Sequence, residues 1–296
     1  MFEGKITIVS VNWFSSDHLK RLAVNLLDKA KSKNQIEFLI IDNTNGSDLK
    51  LSTVFKDIPN SKIIVNNSRS MQRSIAHASA IEFAIPLVET QYTLIIDPDV
   101  HIFKKGWDSS CIAEIKSGKS SIGAPYPKWK LGKIHDAPSV VFFFGETCWF
   151  KTVNCSWYPF PSNIKRVYNF IIRKFVRFFG FSKRKNLEKF SLLFEISKLL
   201  EKLTGLTSPD TGWEFSLASI NNGSEAQVFE APFNTQLSEK NSYLSRLAMN
   251  FELFLWFEDP FMTHMYSSDI FYYKTSESGN LNEWLSAISE IEEKLS

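Results

Sequence analysis

Four short apolar runs, each ending in polar residues, limit this chain more than any other feature of its sequence. They are "KITIVSV" (5–11), "IEFLIID" (36–42), "SKIIVNN" (61–67) and "QYTLIID" (91–97). The apolar stretches do not alternate with polar residues as a half-exposed strand does, so each predicts a strand covered on both faces. Between them, "SDHLKRLAVNLLDKAK" (16–31) puts Leu19, Leu22, Ala23, Leu26 and Leu27 on one helical face, with Ser16 or Asp17 as cap. "SMQRSIAHASAIEFAIPLV" (70–88) has helical spacing that breaks near Pro86. Strand and helix in turn imply an α/β fold, a mainly parallel sheet flanked by helices.

Sheets of this kind bind ligands beyond the carboxyl ends of their strands. There the sequence places Asn12, Asp42-Asn43, Asn66-Asn67 and the triplet Asp97-Pro98-Asp99. Two carboxylates one residue apart repel unless a positive charge sits between them. Their hard oxygens suit Mg²⁺ or Mn²⁺, which would bridge the protein to a diphosphate. Asp and Pro also favour simple turns. The other polar strand ends in the same row favour the cation–phosphate reading.

The whole chain has 296 residues, 44% of them hydrophobic, enough for a substantial core. Its net charge of +2 gives no reason to expect a nucleic-acid partner. The beginning reads as a strand and not as a leader, and no apolar run approaches the ~20 residues that span a bilayer. Cys111, Cys148 and Cys155 lack a C-x-x-C spacing, so neither a zinc site nor a disulfide framework is expected, and a cytoplasmic setting fits.

Charge is uneven. Residues 163–189 hold nine Lys or Arg and one Glu, net +8, which leaves −6 for the rest. Val167, Ile171, Phe175 and Phe178-Phe179 recur at helical spacing, with Arg166, Arg173 and Arg177 on another face, and a second helical pattern follows at 187–203. Residues 151–208 therefore predict a basic helical insertion between two halves, 1–150 and 209–296. The insertion either lies peripherally on the inner face of a membrane, aided by anionic lipids, or packs as a lid. In the last third, 211–223, 242–257 and 280–295 predict helices and 225–232 a strand.

The order strand-"SVNW", helix, strand-"IIDN", strand-"VNN", helix, strand-"IIDPDV" resembles the nucleotide-binding half of GT-A fold glycosyltransferases of the family 2 type. "PDTGWEFSLASINNGSEAQVFEAP" is similar to the acidic helix, glycine and strand on their acceptor side, and "FMTHMYSSD" to their late histidine segment. The resemblance covers roughly residues 4–150 and 209–268 and leaves the insertion outside. It implies a Rossmann-like GT-A sheet and a hexosyltransferase that moves a sugar from a nucleotide-sugar donor, UDP-type by expectation, to a hydroxyl of a glycan or lipid-linked acceptor, as in polysaccharide biosynthesis, with inversion. Carried over residue by residue, Asp42 matches the aspartate at the base or ribose, beside Asn12 and Asn43. Asp97 and Asp99 match the Asp-x-Asp motif for metal and diphosphate, and His264 matches the histidine that completes the metal shell. Arg73 and His77, on the helix before the motif, face phosphates or acceptor, or merely solvent. The family's adjacent Glu-Asp pair is missing. Thr211-x-x-Glu214 has capping-box spacing that would occupy Glu214 structurally, so Asp210 is the preferred general base and Glu214 the second choice. Trp213 offers a stacking surface for the acceptor.

Other readings stay open. "LIIDPDV" also fits haloacid-dehalogenase-like phosphohydrolases, with Asp97 as nucleophile, although three strands precede it here. Nucleotidyltransferases with a similar sheet carry a glycine-rich loop that "VNWFSSDH" lacks. A non-catalytic membrane-associated scaffold would leave the strand-end acids unexplained.

Overall fold

The structure, a computed structural model, describes residues 4–67, 73–159, 163–178, 184–221, 223–265 and 279–295. Seven strands form the main sheet: β1 (Ile6–Asn12), β2 (Ile36–Asp42), β3 (Ser61–Val65), β4 (Tyr92–Ile96), then β6 (Ser121–Gly123), β7 (Phe142–Glu146) and β8 (Ala226–Val228). Their spatial order is β3-β2-β1-β4-β7-β6-β8. Every neighbouring pair is parallel except the two made by β7. A second, antiparallel sheet has the order β5 (Val100–Ile102), β10 (Asp259–His264), β9 (Glu252–Trp256). The α/β class and the mainly parallel sheet flanked by helices are as the sequence predicts.

Both faces of the main sheet are covered, which accounts for the unbroken apolar runs. On β1, Ile6 and Ile8 point to the helix Ser16–Lys29, where Leu19, Leu22, Ala23 and Leu26 are buried. Val9 and Val11 point the other way, to Ala78, Ala80, Ile81 and Ala84 of the helix Arg73–Ala84. The small residues on that second helix let it lie close to the strands. It gives way at Pro86 to a 3₁₀ turn, Ile85–Leu87, as the missing proline N–H requires. One continuous core cluster runs from Ile6 to Met262, so the early strands and the late segments share an interior.

The structure corrects three sequence expectations. The helix expected over 242–257 stops early: Ser245–Asn250 is helical, Phe251 is extended, and Glu252–Trp256 is β9. Five consecutive buried positions give no alternation, and such a run reads equally as helix or central strand. The helix expected over 211–223 shrinks to Trp213–Ala218, with Gly212 as N-cap at φ 73°. A Cβ at Gly212 would lie 2.9 Å from the Trp157 ring, so both backbone and space call for glycine here. The strand expected over 225–232 keeps only Ala226–Val228, beside β6. Between residues 163 and 204 the described helices are Asn163–Phe178, Arg184–Lys189 and Ser191–Thr204.

Candidate active site

Asp97 directly follows β4, in the middle of the main sheet, and the Ser10 hydroxyl holds that strand end by donating to the Ile96 carbonyl at 2.7 Å. The chain then crosses to the small sheet, where β5 begins one residue after Asp99. Pairing register does the rest. His264, the last residue of β10, lies opposite Val100 on one side and Glu252 on the other. The Met265 amide also donates to the Asp99 carbonyl at 3.0 Å. Asp99, His264 and Glu252 are thus brought to one end of one sheet, beside the end of β4.

The His264 Nε2 is 3.2 Å from Asp99 Oδ2 and 3.8 Å from Asp97 Oδ2. One ligand atom from each of Asp97, Asp99 and His264 lies within 4.8 Å of the others. The Nδ1 of His264 faces Glu252 Oε2 at 2.9 Å, and Glu252 Oε1 pairs with Lys130 Nζ at 2.5 Å. A carboxylate behind a histidine fixes its ring and leaves the far nitrogen to a ligand, the outer arrangement typical of metal-binding histidines.

The electrostatics fit the same set. Burial works against charge on His264, but Asp99 and Glu252 outweigh it and lift its pKa to about 10. Burial raises the Asp97 carboxyl to about 7, helped by repulsion from Asp99 and Asp210 and opposed by His264 and Lys130. Burial also opposes ionisation of Asp99, yet His264 holds its carboxyl below the usual range. Two carboxylates suit Mg²⁺ or Mn²⁺ and the imidazole suits a first-row transition ion, so the donor set passes the chemical test for a divalent ion, Mn²⁺ better than Mg²⁺.

A pH dependence follows. His264 and Asp97 both hold protons in the fold that the unfolded chain releases near 6.5 and 3.8. Stability from each is complete below those values and is lost as pH rises through about 10 and about 7. The metal-free protein is expected to lose thermal stability steadily between pH 5 and pH 9, and Mn²⁺ to restore more of it at the upper end, where ligands are deprotonated. Melting curves across that range, with chelator and with Mn²⁺, check this; a flat metal-free profile would refute it.

Across from this trio lies Asp210, 28% exposed and paired with Lys133. Its Oδ1 accepts the Thr211 amide at 3.0 Å. Burial opposes its charge, but Lys133, that amide and Ser74 hold its carboxyl below the usual range. His77 Nε2 is 3.7 Å from Asp97 Oδ1, and burial lowers its pKa to about 4, so it is neutral at pH 7. Tyr126 lies under Lys133, whose Nζ is 4.5 Å from the ring centroid.

The other residues singled out in the sequence have different surroundings. Asp42 is buried, and its carboxylate is filled by its own loop: Oδ1 accepts Asn12 Nδ2 (3.0 Å), the Thr44 amide (3.0 Å) and Thr44 Oγ1 (2.7 Å), and Oδ2 accepts the Gly46 amide (2.9 Å). Asn43 donates to the Ala76 carbonyl and accepts from Asn66, tying two strand ends to the helix Arg73–Ala84. Glu214 does not cap its helix. Its Oε2 accepts the Ser156 amide at 2.7 Å, while the Thr211 hydroxyl donates to the Ser74 carbonyl. The capping box is absent because Gly212, and not Thr211, opens the helix. Trp213 is half-buried, and its indole N–H donates to the Tyr158 carbonyl at 3.1 Å. Arg73 opens the helix Arg73–Ala84, and its side chain lies outside the described residues.

Sequence reading missed Tyr126, Lys130, Lys133 and Glu252. The first three sit on the loop between β6 and β7, which has no periodicity to mark it. Glu252 did leave a signal, since it is the one acid in "NFELFLWF", and a charge inside an apolar run is rarely buried without a partner. The insertion reaches this loop. Glu201 Oε1, on the helix Ser191–Thr204, accepts the Gly132 amide at 2.5 Å and lies 3.0 Å from His135 Nε2.

No protein-family model matches the sequence, and no curated protein matches it. Solved structures with a similar fold include a mannosyltransferase from Pyrobaculum calidifontis in complex with GDP-Man and Mn²⁺, 9% identical with a TM-score of 0.39 over 48% of this chain and 44% of that one. S. aureus TarS 1-349 in complex with UDP-GlcNAc is 14% identical, with a TM-score of 0.40 over 52% and 48% of the two chains. A second crystal structure of S. aureus TarS 1-349 is 15% identical, with a TM-score of 0.40 over 52% and 50%. This chain spans about half the length of those it matches.

Proposed function

We propose that the protein is a metal-dependent glycosyltransferase that moves a sugar from a nucleotide-sugar donor to a hydroxyl of a glycan or lipid-linked acceptor. The observation that carries this reading is the convergence of Asp97, Asp99 and His264, with Glu252 behind the histidine, at the carboxyl end of a central parallel strand. Asp97, Asp99 and His264 would hold the ion. When bound, Mn²⁺ or Mg²⁺ there supplies positive charge to a departing nucleoside diphosphate. Lys130 and Lys133 add two cations on the loop above. Asn12, Asp42 and Asn43 shape the neighbouring strand ends, and the Asp42 loop sets the wall of the donor cleft. Asp210 takes the proton from the acceptor hydroxyl as that oxygen attacks the anomeric carbon and the diphosphate leaves, which inverts the centre. Residues 1–150 then form the donor half, 209–296 the acceptor half, and 151–208 the insertion, with Trp213 toward the acceptor.

A panel of nucleotide sugars, read by release of nucleoside diphosphate with Mn²⁺ and with chelator, tests this. At a hundred times its dissociation constant, a UDP-type ligand should raise the melting temperature by roughly 5 °C with metal present. It should leave it unchanged with chelator. Hydrolysis of a generic phosphate ester in place of sugar transfer would instead assign Asp97 the role of nucleophile.

A further inference from the structure

The insertion presents two apolar stripes to solvent. On the helix Asn163–Phe178, Ile164, Val167, Tyr168, Ile171 and Phe175 fall at the spacing of a single face. All five are exposed, from 58% at Tyr168 to 83% at Ile164. On the helix Ser191–Thr204, Leu192, Ile196, Leu199 and Leu203 repeat the pattern, with Leu192 at 73% and Leu203 at 74%. An amphipathic helix of a globular protein turns such a stripe to the core. Here the core side of the second helix is already taken. Leu193 and Phe194 pack against Trp129, Leu187 and Phe233, Ser197 is buried, and Glu201 binds the loop that carries Lys130 and Lys133. These inward contacts fix the rotation of the helix, so Leu192, Ile196, Leu199 and Leu203 face outward as a consequence of the fold. Contiguous exposed apolar surface of this kind marks an interaction site.

We infer that these two stripes bind an anionic lipid bilayer, each helix lying in the interfacial plane. Charge chooses the partner. The segment 163–189 holds nine Lys or Arg against one Glu, and the helix Asn163–Phe178 has five basic residues and no acid. Apolar and aromatic residues on one face with basic residues around them are what an interfacial helix needs. A second copy of this chain would bring a like charge of +8 against its own, which opposes self-association through the same surface. Among the described residues no helix is long and apolar enough to cross a membrane. The inference stands independently of the transferase reading, because lipid binding needs neither donor nor acceptor.

Cosedimentation of the full chain with vesicles of phosphatidylcholine and phosphatidylserine, against phosphatidylcholine alone, tests it. Wild type should sediment with the anionic vesicles, and less so as salt is raised. Changing Arg166, Arg173 and Arg177 together to Gln should weaken that binding about a hundredfold, at ~1 kcal/mol for each basic residue near the surface. Changing Leu192, Leu199 and Leu203 to Gln should weaken it by at least tenfold on both vesicle types. These leucines are exposed, so the melting temperature should hold and serves as the folding control. Three results would overturn the inference: wild type that stays in the supernatant at low salt, leucine variants that bind as wild type does, or a vesicle-free dimer that the leucine changes dissociate.

Discussion

Asp99→Asn, and separately Asp97→Asn, are expected to abolish Mn²⁺-dependent donor binding and to bring turnover below about 1% of wild type, while the protein still folds. Changes in the outer shell of a metal site typically cost 10–100-fold, and these two would remove proposed ligands from a candidate set of three. Asn keeps the shape and one acceptor oxygen, so the backbone bond from Met265 to Asp99 and the packing around β5 survive. Asp99→Asn has a second signature. Asp99 is the largest of the influences that raise the pKa of His264. Without it the imidazole should lose its proton at lower pH, and the decline of metal-free stability should move down the scale. Donor titrations with and without Mn²⁺, and melting curves from pH 5 to pH 9, read the two effects separately. Wild-type turnover in both variants would place the metal elsewhere.

The divided legibility of this site has a physical origin. The position of Asp97 and Asp99 at a strand end was readable because a parallel sheet delivers its strand ends to one edge, and the strands announce themselves as unbroken apolar runs. Pattern reveals period, and four consecutive strands have it. His264 could be named only by resemblance. Its place is set by the register of β10 against β5 and β9, and β9 was read as helix because "ELFLW" is buried on both sides. Once β9 is a strand, Glu252 and His264 must be opposite each other, and the buried acid in an apolar run is explained. Asp42 stands at another strand end, in different surroundings. Its position at a strand end is as suggestive as that of Asp97, yet Asn45 and Gly46 adopt positive φ and fold the loop back, so that backbone and side-chain donors fill the carboxylate. The motif "DNTNGSD" advertises a turn without saying whose oxygens it will use. Lys130, Lys133 and Tyr126 had no period to betray them, since a loop of 124–139 is placed by its contacts with Glu201, Glu252 and Asp210.

Asp210→Asn is expected to cut turnover by roughly 10²-fold or more, the scale of losing a general base, with little change in donor affinity. Asp210 stands in the same charged cluster as Asp97 and His77, within reach of their fields, whereas Glu214 is bound to the Ser156 amide. Glu214→Ala should therefore leave turnover near wild type and cost about 1 kcal/mol of stability, the worth of one partly buried hydrogen bond. The pairing of Asp210 with Lys133 shapes the pH profile. A carboxylate held low by Lys133, Ser74 and the Thr211 amide is ionised across the whole neutral range. Loss of its own charge then sets no limb of the rate profile above pH 5. Lys133→Met removes the first of the influences that hold the carboxyl down, with burial left to raise it. An acidic limb should then appear in kcat at higher pH than in wild type, and Asp210→Asn in that background should remove the limb. Stopped assays of nucleoside diphosphate release from pH 5 to pH 9 on the wild type, the three single variants and the double variant decide the assignment. Full activity in Asp210→Asn with loss in Glu214→Ala would exchange the two roles.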